Sequence, residues 1–245
     1  MSFNIGSDHG SQRNRLGKEG CVAICDALHH NVCLIQFLYL RGTSLGNNEV
    51  TELAEALKHY RYLHTLDLSR NWLEGEKGGQ AIAKILERCP EEFGFVQLKK
   101  LDLDHNNLGN QGFEAILDQL KYERMRIETL RIASNNISMI QGALFEKELN
   151  IHVIAIDHLV LDNNHLKTGT YYKLSNLISM MIYLKTLSLK DCLINDSGLR
   201  MCFEFLPLLR RLQKVDFSQN VITDTGIQSI QHCIGDRYVK AGHKN

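Results

Sequence analysis

The chain has 245 residues, 44% of them hydrophobic and only two of them proline, which excludes a disordered or linker-rich chain and leaves one large or two small domains. Its 28 basic and 28 acidic residues cancel, so no net field draws it to nucleic acid or an anionic membrane. No segment reaches the roughly 20 consecutive apolar residues of a spanning helix, and seven cysteines without C-x-x-C spacing fit reduced thiols in a cytosol-like compartment.

The opening MSFNIGSDHG has no basic run followed by an apolar one and is not expected to be a signal peptide. Asn14 and Leu16 are the first traces of a template that is complete at Leu63–Leu73, LHTLDLSRNWL, or L-x-x-L-x-L-x-x-N-x-L. The slot of Asn71 recurs at Asn14, Thr43, Asn106, Asn135, Asn164, Cys192 and Asn220, with successive spacings of 29, 28, 35, 29, 29, 28 and 28 residues. So regular a period marks a solenoid. In the first unit the template places His9 and Ser11 where strand leucines belong, so residues 1–33 are expected to be a capping half-repeat carrying the helix KEGCVAICDALHH. Residues 34–234 then hold seven repeats and 235–245 a tail, all within a single domain.

Seven strand frames follow: Ile35-Leu38-Leu40, Leu63-Leu66-Leu68, Leu98-Leu101-Leu103, Ile127-Leu130-Ile132, Ile156-Leu159-Leu161, Leu184-Leu187-Leu189 and Leu212-Val215-Phe217. Helical stripes at three- and four-residue steps come next, as in Val50/Leu53/Ala54/Leu57, Phe113/Ile116/Leu117/Leu120 and Leu199/Cys202/Phe203/Leu206. Glycines at 20, 78, 112, 142, 169, 198 and 226 recur near the helix starts, where a sharp turn is expected. Parallel strands pack about 4.8 Å apart and helices about 8–10 Å apart, so stacking such units curves them, strands inside and helices outside. The Asn slot is expected to satisfy backbone groups of neighbouring turns, with Thr43 and Cys192 doing so only in part.

The unit of about 28 residues, the L-x-x-L-x-L-x-x-[NC]-x-L core and the helix that follows resemble the ribonuclease-inhibitor-like class of leucine-rich repeats over about residues 14–234. The resemblance implies an α/β fold, a curved horseshoe with a parallel sheet on the concave face and helices on the convex face. Related repeats occur in inhibitors, GTPase-activating proteins, immune receptors, cytoskeletal proteins and bacterial effectors, so the resemblance selects no single activity.

Two irregularities stand out. The long step from Asn71 to Asn106 places extra residues near 87–97, read either as a bulged return loop or as a projecting contact loop with Phe93 and Phe95. The tail GDRYVKAGHKN offers no further strand in frame.

Asp102-x-Asp104-x-Asn106 imitates a calcium loop, but Asn107 and Phe113 stand where glycine and glutamate are required. The eleven histidines show no H-E-x-x-H pair, and no phosphate-loop, dinucleotide or nucleophile-elbow motif occurs. Asp67 and Asp102 fall on neighbouring strands, but an open sheet gives them no dry pocket for acid–base chemistry. No enzyme, cofactor or metal is therefore expected.

Residues between the strand leucines should line the concave face. One column runs Tyr39, Asp67, Asp102, Arg131, Val160, Ser188, Asp216; the next Arg41, Ser69, Asp104, Ala133, Asp162, Lys190, Ser218; the third Gly42, Arg70, His105, Ser134, Asn163, Asp191, Gln219. Six acids against four bases is not the composition of a nucleic-acid groove. Aromatics mixed with Arg do suit a protein contact. The candidate partner-binding residues are Tyr39, Arg41, Asp67, Arg70, Trp72, Asp102, Asp104, His105 and Arg131. The expected function is a non-enzymatic cytoplasmic scaffold that binds a partner protein. A special case is a bacterial effector delivered into a host cytoplasm. The alternatives are an assembly component of a larger complex and, less favoured, an RNA-binding repeat using Lys99-Lys100, Lys185, Lys190, Lys214 and Arg210-Arg211.

Overall fold

The computed structural model describes residues 1–7, 14–29, 34–58, 60, 62–87, 98–121, 126–139, 153–206 and 209–231. The strands are β1 (Ser2–Asn4), β2 (Phe37–Tyr39), β3 (Thr65–Asp67), β4 (Lys100–Asp102), β5 (Arg126–Arg131), β6 (Ala155–Val160), β7 (Thr186–Ser188) and β8 (Lys214–Asp216). They form one eight-stranded parallel sheet in sequence order. The helices are α1 (Lys18–His29), α2 (Asn47–Leu57), α3 (Gly75–Leu86), α4 (Gly109–Leu120), α5 (Tyr171–Ser179) and α6 (Asp196–Phe205), and residues 224–231 are also helical. The expected curved solenoid, sheet inside and helices outside, is the observed fold.

Register follows the leucines. Phe3, Leu38, Leu66, Leu101, Leu130, Leu159, Leu187 and Val215 pair across the sheet in a single row. From Leu38 to Leu187 the row is completely buried against the helices, each such side chain contributing about 1.5–3 kcal/mol. Val215, in the last strand, is only partly buried, because it has a strand neighbour on one side only.

The first unit departs from the sequence reading. A strand is present, making eight instead of seven, and Phe3 pairs with Leu38. The template had assigned that place to His9, six residues later, and His9 and Ser11 lie outside the described residues. Asn14 nonetheless keeps its slot: its Nδ2 donates to Ile5 O at 3.0 Å, and Ile5 N–H bonds Tyr39 O as Leu40 N–H bonds Asp67 O. A fixed-period template could not see a strand displaced by extra residues. Its short Phe3-x-Ile5 alternation is too weak a signal alone.

The Asn ladder forms as expected. Asn71 Oδ1 accepts from Thr43 N (3.1 Å) and Leu45 N (3.0 Å), and its Nδ2 donates to Leu40 O (2.8 Å) and Leu68 O (3.0 Å). Asn220 accepts from Cys192 N and Ile194 N, both at 2.9 Å. Thr43 and Cys192 manage part of this: Thr43 Oγ1 donates to Leu40 O (2.7 Å), and Cys192 Sγ lies 3.3 Å from Leu161 O. A second ladder, absent from the sequence reading, stands four residues further on. Asn47 clasps Glu74 through both N and O (3.0 Å each), Asn110 Oδ1 accepts from Ser138 N (2.8 Å), and Asp196 binds Thr223 through both carboxylate oxygens.

The recurrent glycines serve packing and not turning. Those at 20, 78, 112, 198 and 226 have no positive φ. A Cβ on Gly79 would lie 2.2 Å from Gly112 O, and one on Gly112 2.6 Å from Gly75 O, so backbone meets backbone where α3 crosses α4. Gly198 likewise faces the Tyr171 ring at 2.8 Å, whereas Gly169 meets nothing within 4 Å. Gly142, the extra residues before β4 and the tail after 231 lie outside the described residues; α3 ending at Leu86 and β4 beginning at Lys100 bracket the insertion.

Candidate functional site

The sheet places the expected columns on the concave side. Register aligns Asn4, Tyr39, Asp67, Asp102 and Arg131 on consecutive strands. One concave column was missed: Ser2, Phe37, Thr65, Lys100, Thr129, His158, Thr186 and Lys214 precede the central leucine row and share its opposite face. Strand alternation alone would have found it. Phe37 is exposed there and stacks on His64 with ring centroids 6.2 Å apart.

The third column has a backbone origin that sequence did not reveal. Gly42, Arg70, His105, Ser134, Asn163, Asp191 and Gln219 all adopt positive φ, between 53° and 64°. Each turns the chain out of its strand, and in every unit before the last its N–H bonds the next unit, as in Arg70 N to Asp104 O and His105 N to Ala133 O at 2.8 Å. That conformation costs an L-residue about 1–2 kcal/mol and suits Gly, Asn and Asp best. At Gly42 a side chain is also sterically barred, since a Cβ would sit 2.4 Å from Ser7 O.

The acids of the patch are engaged within the chain. Asp67 Oδ1 accepts from Ser69 N (2.9 Å) and Ser69 Oγ (2.6 Å), and Arg41 Nη1 reaches that hydroxyl at 3.3 Å. Asp102 Oδ1 accepts from Asp104 N at 3.1 Å, and Asp104 Oδ1 from Ala133 N at 2.7 Å. Arg131 bridges both: its Nε lies 3.2 Å from Asp102 Oδ2 and 2.9 Å from Asp104 Oδ2, and its Nη2 also bonds Asp104 Oδ2. The same device recurs in the far half, where Asp162 Oδ1 accepts from Lys190 N (3.0 Å) and Asp216 Oδ1 from Ser218 N (2.9 Å). Carboxylates on this face therefore extend the sheet's hydrogen bonding where the strands end.

Burial, then the charge of Asp104, pushes the Asp102 carboxyl up to about 6. Partial burial, then the Arg70 cation, lowers His105 from its ordinary value, so its ring is neutral near pH 7. Arg41, Arg70, His105 and Arg131 thus share one electrostatic neighbourhood with Asp102 and Asp104. Trp72 does not join them. It is 62% exposed on the loop edge next to the Asn slot, held by a bridge to Gly46, and no ring contact links it to the others among the described residues.

A second polar cluster escaped the sequence reading because its members come from three units. Asp157, almost fully buried, binds Arg126 Nη2 through both oxygens (3.0 and 3.1 Å) and Lys185 Nζ (2.8 Å). Burial would raise its pKa, and the hydrogen bonds and charges of Lys185 and Arg126 outweigh that and lower it. The Arg126 and Arg211 guanidinium carbons lie 5.6 and 4.9 Å from the Tyr183 ring centre. Among the described residues no group of three or more His, Cys, Asp or Glu is disposed to hold a metal ion, and no described helix is long and apolar enough to cross a membrane.

Comparison with known proteins agrees with this geometry. A family model described as Leucine Rich repeat matches residues 59–83, 98–117 and 210–230. The chain is built of leucine-rich repeats and resembles the ribonuclease-inhibitor-like class. Porcine (Sus scrofa) ribonuclease inhibitor is 23% identical to this repeat protein over 246 residues, covering 87% of the chain and 52% of the inhibitor. Mouse (Mus musculus) NACHT, LRR and PYD domains-containing protein 12 is 25% identical over 242 residues, covering 88% of the chain and 23% of the relative. Human NACHT, LRR and PYD domains-containing protein 14 is 26% identical over 212 residues, covering 86% and 19%. The repeat protein thus spans about a fifth of the length of the NACHT relatives and about half of the inhibitor.

Proposed function

We propose that this repeat protein is a non-enzymatic scaffold that binds a partner protein on the concave face of β2–β5. The observation that carries the reading is the setting of Tyr39, Arg41, Arg70 and His105 on three adjacent strands, beside the exposed Phe37. Aromatic and Arg side chains dominate the energetics of protein contacts, and a rigid sheet presents them with little ordering cost. The likeness to ribonuclease inhibitor, by its name the inhibitor of another protein, points the same way. A cytoplasmic setting fits the buried thiols: Cys21, Cys25, Cys192 and Cys202 are free, and burial pushes Cys192 and Cys202 up to about 12, where they are unreactive.

A second reading, docking in a larger assembly through another surface, is favoured by exposed apolar side chains off the concave face. Tyr172, Ile182, Leu193 and Val221 are the main ones.

Once affinity capture has identified a partner, calorimetry on two triple variants tests the choice. Tyr39→Ala, Arg70→Ala and His105→Ala together are expected to weaken binding by at least about 2 kcal/mol while leaving the buried leucine row, and hence folding, intact. The far-half control, Lys190→Ala, Asp191→Ala and Gln219→Ala, is expected to cost less. Loss confined to the control overturns the N-terminal location; loss in neither favours the second reading.

A further inference from the structure

Among the described residues, Arg70 is a concave-face cation that makes no ion pair. Its Nε is buried and has no hydrogen-bond partner among the described residues. The acids that could meet it are held elsewhere: Asp67 by Ser69, Asp102 by the Asp104 N–H and Arg131, Asp104 by the Ala133 N–H and Arg131. The backbone adds a second, independent sign. Arg70 has φ 55°, the left-handed conformation of its whole column, where Gly42, Asn163 and Asp191 suit it better and His105, Ser134 and Gln219, like Arg70, do not. An Arg there carries the strain of a left-handed conformation and a buried donor without an acceptor, and both reduce stability. Among the described residues Arg70 makes no ion pair with this chain, so its charge stands open to an external ligand.

We propose that Arg70 anchors a single carboxylate, the Asp or Glu side chain of a partner-protein segment lying across β3 and β4, with His105 beside it. The inference rests on the concave-face reading and names the chemistry of its partner. A guanidinium takes a carboxylate through two parallel N–H bonds. A phosphate suits the place less well, since its second negative charge would face Asp67, Asp102 and Asp104 on the same strands. Arg70 presents a single guanidinium fork, so one carboxylate is its complement.

The test follows the Arg Nε–Hε resonances of the ¹⁵N-labelled 245-residue chain, with the Arg70 signal assigned from the Arg70→Gln variant. Three probes are titrated at fixed pH and ionic strength: N-acetylglutamate α-amide, its glutamine counterpart, and inorganic phosphate. The expected result is a saturable shift of the Arg70 signal with the glutamate compound and none with the glutamine one. Arg70→Gln should weaken glutamate binding, read on the backbone amide of His105, at least tenfold, and Arg70→Lys, which keeps the charge but loses the fork, should weaken it less. An unmoved Arg70 signal, or equal shifts with glutamate and glutamine, overturns the proposal. So does phosphate acting at a tenfold lower concentration, which would assign the anchor to a phosphorylated segment. Circular dichroism checks that both variants are folded; if Arg70→Gln is not, the Arg70→Lys comparison and the wild-type titration decide. Failure here with partner binding still abolished by the near-half triple variant removes the anchor alone. A responsive Arg70 with partner binding untouched by that triple removes the concave-face reading.

Discussion

Asn164→Ala probes the element on which the solenoid most depends. The side chain is fully buried, and it stitches its own turn to the unit before it. Oδ1 accepts from Asn135 N and Ile137 N, both at 3.0 Å, while Nδ2 donates to Ile132 O (3.0 Å), Leu161 O (2.9 Å) and Asp162 O (3.3 Å). Alanine leaves two N–H groups and two or three carbonyls unpaired in the interior. Each buried orphan costs about 1–3 kcal/mol; with partial relaxation the expected loss is about 3–5 kcal/mol, a large part of the roughly 5–15 kcal/mol that holds a domain folded. Asn135 supplies the calibration. Its Nδ2 bonds Leu103 O (2.9 Å) and Ala133 O (3.0 Å), but its Oδ1 receives only a long 3.4 Å contact from Leu108 N. Asn135→Ala should therefore cost less, about 1–3 kcal/mol. Asn164→Asp keeps the acceptor but turns a buried carboxylate oxygen toward the Ile132 and Leu161 carbonyls, so at neutral pH it should cost at least as much as alanine. Urea unfolding followed by circular dichroism measures all three. Because stability in a solenoid resides in neighbour interfaces, Asn164→Ala should also lower the m-value or split the transition. A cost below about 1 kcal/mol, well under the loss expected for orphaned buried groups, or one smaller than that of Asn135→Ala, would refute the ladder as a source of stability.

Gly79→Ala should destabilise by about 1–3 kcal/mol, the usual cost of overpacking, because its Cβ would meet Gly112 O at 2.2 Å; Gly169→Ala, facing open space, is the control and should be near neutral in the same thermal melts. Asp102→Asn should stabilise the protein at pH 7.5. A carboxyl raised to about 6 in the folded state favours folding when protonated and loses that contribution as pH rises through 6. The variant's advantage, up to about 3 kcal/mol before the lost Arg131 contact is counted, should shrink as pH falls to 4.5. An advantage that grows toward acid pH would contradict the buried-charge account of Asp102.

The repeat, its register and its core were legible in the amino-acid sequence because one spacing rule governs them. A leucine row that must face the helices, with an asparagine at a fixed distance, determines strand, turn and helix in every unit that keeps the period. The rule fails where length varies, which is why β1 at Ser2–Asn4 escaped it although Asn14 did not. The concave columns were also readable, since strand alternation is a local property. What those columns do was not. Whether Asp67, Asp102 and Asp104 are free or engaged depends on backbone N–H groups and an Arg one or more units away. That the third column is left-handed, and that Arg70 lacks a partner in it, depends on the stacking of turns. The glycines tell the same story: their recurrence is plain in the sequence, but the reason, backbone against backbone where α3 crosses α4, exists only between units. Periodicity encodes what each unit does for itself. Contacts between residues some 28 positions apart are decided by how closely successive units approach, and that distance is a property of the tertiary stack alone.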